Sequence, residues 1–300
     1  MDYEYRRITD LKCIYDYFRK NCGNIPYMFE TDYEIWLKSY TADTDHDDEK
    51  MFDEIITYAA FSSDEIAGFI AFGISRYIYN ESGEKDRSVS CGIIRQLHIG
   101  REHNCGGGLI SIAEGFFNER NVSKRAAFFH AFGMTCYAGH GKLFCGLPHI
   151  EQAVLTGGYE KEHENVYYRR FLTEADCDVC KNVSVSFSAA NKKGLCEFTV
   201  YAEKRAVGAG AVVYLPQGGI CYLKWIYIYE NEQRKGYGSA ALRALFSVLY
   251  SKGIKRFDTD TADRNTAAQA LYTKTGFEYM GRTRSYMKYR QNIGTVGSIT

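Results

Sequence analysis

Residues 219–252 constrain the fold more than any other part of the chain. An apolar, aromatic run from Ile220 to Ile228 gives way to a polar turn from Tyr229 to Lys235, and Gly236 and Gly238 then open a helix-patterned segment. Leu242, Leu245, Phe246 and Leu249 fall at i, i+3, i+4 and i+7, and Gly253 supplies a stop. A strand, a glycine loop and a helix start in this order predict an anion site. The glycines let a ligand approach the backbone, and the free N–H groups of the first helical turn, aided by the helix dipole, donate to it.

The same order occurs once before, in the strand-like run of residues 89–99 followed by GREHNCGGGLIS. Setting Gly158-Tyr159-Glu160 on Gly276-Phe277-Glu278 aligns the two halves, so the chain reads as an internal tandem duplication. In the first copy the apolar spacing predicts helices over 8–22, 32–40 and 49–60, then strands over 66–75 and 89–99 joined as a hairpin. A helix follows from the glycine loop, with a strand over 126–133, a helix over 149–156 and a strand over 166–172. Residues 173–182 are polar and aperiodic and read as the linker. The second copy has strands over 183–189, 196–203, 207–215 and 220–228, the long helix, a strand over 257–262, a helix over 265–275 and a last strand over 282–290. It lacks the leading helices. The expected division is 1–175 and 176–300, consistent with domains of about 150 residues.

Composition excludes several classes. The 37 basic residues balance 37 acidic ones with no long block of one sign, which gives no reason for nucleic acid or an anionic membrane. The N-terminus MDYEYRRITD has no apolar signal core and no run of about 18 apolar residues occurs, so the chain reads as cytoplasmic. Ten scattered cysteines without a secretory signal read as reduced thiols, and the close pair Cys177 and Cys180 as structural. The acidic segment TADTDHDDEK lacks the glycine and terminal glutamate of a calcium loop and reads as a solvated loop, so no metal is expected. The expected partner is a small molecule or a protein, and the chain a monomer or homodimer.

Two readings of the glycine loop compete. Gly236-x-Gly238-x-x-Ala241, with Asp258 about 20 residues on, satisfies a dinucleotide fingerprint. Such a turn follows its strand directly, whereas here seven polar residues intervene, and the remaining chain is too short for a doubly wound sheet. The loop Gln233-Arg234-Lys235-Gly236-Tyr237-Gly238 resembles instead the (Gln/Arg)-x-x-Gly-x-(Gly/Ala) loop of the GNAT superfamily of N-acetyltransferases. Asn265-x-x-Ala268-x-x-Leu271-Tyr272-x-x-x-Gly276-Phe277 matches that family's second motif at the family spacing. The resemblance is close over 196–290 and looser over 60–172.

The resemblance implies a mixed α/β (α+β) fold of two tandem GNAT-like domains, each a mostly antiparallel sheet flanked by helices, with acetyl-coenzyme A as cosubstrate. The amides from Gln233 to Ser239, with Arg234, Lys235, Gly236, Tyr237 and Gly238 between, would hold the pyrophosphate. Ile226 and Ile228 would offer backbone groups to the pantetheine arm, with Asn265 and Ala268 beside it. Tyr272 would protonate the leaving thiol, and a primary amine would be the acceptor. Tyr222 and Asp260 both remain candidates for the general base. In the first copy His103-x-x-Gly106-x-Gly108 keeps the glycines, but Leu147 and Val154 stand where Asn265 and Tyr272 do, so that copy reads as a scaffold. The acceptor site is expected partly between the copies, and a non-catalytic acyl-coenzyme A sensor is the alternative function.

Overall fold

The computed structural model describes residues 2–23, 25–45, 48–79, 84–177 and 182–289. The first copy comprises β1 (Glu4–Arg7), α1 (Lys12–Asn21), α2 (Tyr33–Thr41), β2 (Ile56–Ser62), β3 (Glu65–Ser75), β4 (Ile78–Tyr79), β5 (Lys85–Asp86), β6 (Cys91–Ile99), α3 (Gly106–Glu119), β7 (Lys124–Ala127), β8 (Leu143–Phe144), α4 (Pro148–Thr156) and β9 (Glu160–Phe171). The second comprises β10 (Val183–Phe187), β11 (Leu195–Ala202), β12 (Arg205–Tyr214), β13 (Ile220–Ile228), α5 (Tyr237–Ser251), β14 (Arg256–Ala262), α6 (Thr266–Lys274) and β15 (Glu278–Tyr289). The fold is the mixed, mostly antiparallel α/β arrangement expected, and among the described residues only a 3₁₀ turn at Glu174–Cys177 stands between β9 and β10.

Local chemistry repeats between the copies. Ser63 and Asp64 turn β2 into β3 with φ of 50° and 68°, and Glu203 and Lys204 turn β11 into β12 with φ of 49° and 69°. Two successive left-handed residues match the twist of a tight hairpin. Each copy also has one extra residue in the strand before its glycine loop. Arg95 is passed over where β6 pairs with β3, and Lys224 where β13 pairs with β12. Such a bulge bends its strand. Beyond it the parallel neighbours separate: the pairing of β6 with β7 ends at Ile94 and Ala127, and that of β13 with β14 at Leu223 and Thr259.

The copies do not keep separate sheets. The strand order is β1-β2-β3-β6-β7-β15-β9-β14-β13-β12-β11-β10, with β8 against β15. The last strands are exchanged: β9 of the first copy pairs with β14 of the second, β15 of the second pairs with β7 of the first, and β9 pairs with β15. One core lies under α3 and α4, another under α5 and α6. A third, on the opposite face, is built on Ile14, Phe18 and Trp36 of α1 and α2 and extends to Tyr167, Leu215 and Tyr222. Trp36 and Tyr40, one helical turn apart, stack at 4.5 Å within it. The leading helices of the first copy therefore cover part of the second.

Four expectations need correction. Residues 49–60 are not a helix; β2 starts at Ile56, because Ile56, Thr57 and Tyr58 favour a strand and the Ser63-Asp64 turn returns it into β3. The strand expected over 126–133 ends at Ala127, where Phe128 has φ of 55° and a short 3₁₀ turn follows. The strands of 66–75 and 89–99 do pair antiparallel, but through an excursion containing β4 and β5, of which residues 80–83 lie outside the described set. The acidic segment after α2 is solvated only in part, with Asp48 and Lys50 exposed and residues 46–47 outside the described set. Asp43 is buried against Arg95 at 2.6 Å, and Asp45 against Lys85 at 2.6 Å. Eight cysteines are free thiols, while Cys180 and the side chain of Cys177 lie outside the described set.

The exchange makes a prediction. β9 buries Val166, Tyr167 and Tyr168 in the middle of the sheet, and each large side chain contributes roughly 1.5–3 kcal/mol toward a net stability of only about 5–15 kcal/mol. Residues 176–300 expressed alone, without β9, are expected to show no cooperative unfolding transition by circular dichroism. A cooperative transition matching that of the full chain would contradict the pairing.

Candidate active site

The opening between β13 and β14 is framed by backbone. Past Leu223, β13 continues along β12 to Ile228, while β14 continues along β9 to the Ala262–Asn165 pair. Thr259 pins the last shared rung by donating its hydroxyl to Leu223 O at 3.0 Å. At the mouth, Gly236 caps α5 with φ of 86°, a conformation glycine adopts without penalty, and a side chain there would meet nothing within 4 Å. The next amides, of Tyr237, Gly238 and Ser239, belong to the first helical turn and have no partner inside the helix.

The loop before α5 is locked by its own side chains. Gln233 donates Nε2–H to Ile228 O at 2.9 Å. Glu232 is buried between Arg205 and Lys235, whose Nζ lies 3.1 Å from it. Lys235, expected at a phosphate, is exposed but held in this ion pair, and Arg234, also exposed, is left-handed at φ of 61°. Ile226 is partly buried on the α5 side, and a Cβ added at Gly238 would stand within van der Waals reach of Leu271 and Ile228.

On the α6 side, Asn265 caps the helix by accepting the Ala268 N–H at 3.1 Å, so its side-chain oxygen is committed to the helix. Ala268 is partly buried in the core under α5. Tyr272 is 4% exposed, packs 5.5 Å from Tyr168 and 5.4 Å from Phe277, and reaches Thr259 at the point where the strands part. Burial raises its pKa, the Thr259 contact opposes this, and the charge of Asp260 adds to it. The hydroxyl therefore remains protonated at neutral pH.

Tyr222 and Asp260 are brought together. Tyr222 donates its hydroxyl to Asp260, which also accepts Asn165 Nδ2–H at 2.5 Å and Lys142 Nζ–H at 3.2 Å, with His140 Nε2 at 3.6 Å. Burial works to raise the Asp260 pKa, but Lys142, His140 and Tyr222 outweigh it and hold the carboxyl well below the usual range. Tyr222 is driven the other way, first by burial and then by Asp260. Lys142, His140 and Asn165 come from the first copy and carried no motif in the sequence; only the exchange of β9 and the fold of the 133–142 loop place them here. Asp258, the acid of the dinucleotide reading, is fully buried between Arg256 at 2.6 Å and Tyr167 at 2.8 Å and cannot meet a ribose.

The first copy closes the same places. His149 of α4 sits with Nε2 3.0 Å from Ile99 O, on the strand position matching Ile228. Tyr5 covers Gly108, where any side chain would overlap its ring, and Tyr3 accepts the Asn104 N–H at 3.1 Å at the start of α3. Gly106 packs on Ile99 and Ala153 with no room for a Cβ. Leu147 stands at the N-cap of α4 as Asn265 does at α6, and Val154 is buried where Tyr272 would be. Gly106 and Gly108 serve close packing.

Comparisons with known proteins bear on the fold that carries this geometry. The profile of the acetyltransferase (GNAT) family matches residues 159–277, from the start of β9 through α6. Among solved structures, a tandem GNAT protein from the clavulanic acid biosynthesis pathway aligns at a TM-score of 0.64 with 9% identity, covering 96% of this chain and 98% of that one. A GCN5-related N-acetyltransferase from Sphaerobacter thermophilus aligns at 0.62 with 10% identity, covering 96% and 95%. At such identities the likeness is one of fold. Comparison with curated proteins finds no match. Residues 159–277 carry a domain of the GNAT acetyltransferase family, within a chain whose fold is that of a tandem GNAT protein.

Proposed function

We propose that the chain moves an acetyl group from acetyl-coenzyme A to a primary amine, and that only the second copy does so. The observation that carries this reading is the one-sided opening. Both copies split their parallel strands at a bulge, but side chains stopper the first, whereas the second presents an open glycine cradle at the start of α5. What acetyl-coenzyme A supplies is an activated thioester carbonyl.

The residues of the second copy suit the parts that this substrate requires. The amides of Tyr237, Gly238 and Ser239 would receive the pyrophosphate, with Arg234 adding charge. The edge of β13 left unpaired beyond Leu223, at Ile226 and Ile228, would bond the pantetheine arm as a neighbouring strand would. Tyr272 would give its proton to the departing sulfur as the nitrogen–carbon bond forms. Asp260 is ionised but weakly basic, and Tyr222 is held protonated by its bond to Asp260, so neither is a strong base by itself. The pair would orient the amine, which enters uncharged and gives up its proton to water once the nitrogen–carbon bond has formed.

Three outcomes are expected. Calorimetric titration with acetyl-coenzyme A gives one site per chain; two sites, or a preference for NADH, would contradict the reading. Tyr272→Phe lowers kcat by about 100-fold, in the range of general acid catalysis, with acetyl-coenzyme A affinity unchanged; unaltered kcat would remove the role. Asp260→Asn leaves Lys142 buried without its counter-charge, which costs about 3–5 kcal/mol and is read as a lowered urea midpoint. Because the folded pKa of Asp260 is depressed, this difference is full above the ordinary carboxylate range and shrinks as pH falls through the folded value.

A further inference from the structure

The two bulges carry cations with different fates. Arg95 is satisfied from within: it donates to Phe132 O at 2.9 Å, Tyr40 O at 3.0 Å, Gly133 O at 3.1 Å and Ser39 O at 3.2 Å, and pairs with Asp43 at 2.6 Å. That carboxylate follows α2, one of the leading helices that the second copy lacks. Lys224, at the matching position, donates only to Ala138 O at 3.4 Å and, among the described residues, has no carboxylate within ion-pair distance. Its side chain keeps solvent access while its ammonium lies against the first-copy loop, 3.8 Å from where a Gly139 Cβ would stand.

The surroundings of Lys224 are short of negative charge. Asp260 is the carboxylate that acts on Lys224, His130, His140 and His163, and it is already bonded to Tyr222, Asn165 and Lys142. Burial, Lys142, His163 and Lys224 together hold His130 down to about 4 against the pull of Asp260. His130 and His163 face each other at 5.7 Å. Next along β13, Trp225 and Tyr227 are each 45% exposed and add an aromatic wall without charge. Among the described residues a polycationic amine would find no free carboxylate here. An anion would meet an ammonium that has no counter-charge of its own.

We propose that Lys224 receives an anionic group of the acceptor, so that the amine acetylated belongs to an aminocarboxylate or an aminophosphate; in the first copy Asp43 supplies the anion that the acceptor brings to the second. The inference rests on the acetyl-transfer reading. Lys224 acts here as a specificity determinant and takes no part in moving the proton.

Thiol release by the full chain with acetyl-coenzyme A is the test, using matched amines: glycine against glycinamide, β-alanine against its amide, O-phosphoethanolamine against ethanolamine, and spermidine. The anionic member of at least one pair is expected to have kcat/KM about 10-fold or more above its neutral partner and above spermidine, the scale of one charge-assisted hydrogen bond. The pair that discriminates tells carboxylate from phosphate. Lys224→Gln is expected to raise the acceptor KM about 10- to 100-fold with kcat altered far less, and Lys224→Arg to restore most of the loss. Preference for spermidine or the neutral amines overturns the proposal, as does a Lys224→Gln loss confined to kcat. Calorimetry before any acceptor is added separates this from failure of the underlying reading, which would appear as no binding of acetyl-coenzyme A.

Discussion

The pairing of β9 with β15 holds the molecule together. Each is a twelve-residue strand that ends one copy yet lies in the middle of the common sheet, and each continues into the other copy, β9 against β14 and β15 against β7. A sheet closed in this way has no free edge at the junction of the copies, where two separate sheets would each expose one. The site depends on it directly. Asn165 on β9 reaches Asp260 across the exchanged ladder, and the loop bearing His140 and Lys142 leads into β8, itself paired with β15. The carboxylate of one copy is thus held by donors from the other.

Both copies have a bulge, a split pair of parallel strands and a glycine-rich helix start, and they differ in what surrounds these. In the first copy Tyr3 and Tyr5 cover the start of α3, His149 of α4 meets the end of β6, and the bulge cation is neutralised by the segment after α2. In the second copy, α1 and α2 of its neighbour reach only as far as Tyr222 and Leu215, so the bulge cation and the aromatic residues after it stay accessible. Loss of the leading helices and gain of an accessible site are two views of one change. The first copy supports the site with a wall and three polar side chains.

Much of the site was legible because it is local. The glycine loop, the face of α5, the Asn265 cap and the Gly276 turn, left-handed at φ of 83°, are each set by a few neighbouring residues. The strand exchange was not, since a β-strand's alternation says which face it buries and nothing about which neighbour it takes. Residues 49–60 misled because Met51, Ile55, Ile56 and Ala59 fit a helical period as well as a strand, and the Ser63-Asp64 turn that decides between them lies outside the segment. Asp43 and Asp45 read as solvated because their partners, Arg95 and Lys85, are distant in sequence. For the same reason Lys142 and His140 gave no signal, and Tyr222 and Asp260 stood as competing candidates although they bond to each other.

The central claim, that one copy binds acetyl-coenzyme A and the other is sealed, is most directly tested by amide hydrogen exchange with and without that ligand. The account predicts slowed exchange at residues 226–228 and 237–239, with residues 97–99 and 106–108 unchanged. Protection at residues 106–108, or equal protection in both copies, would contradict it.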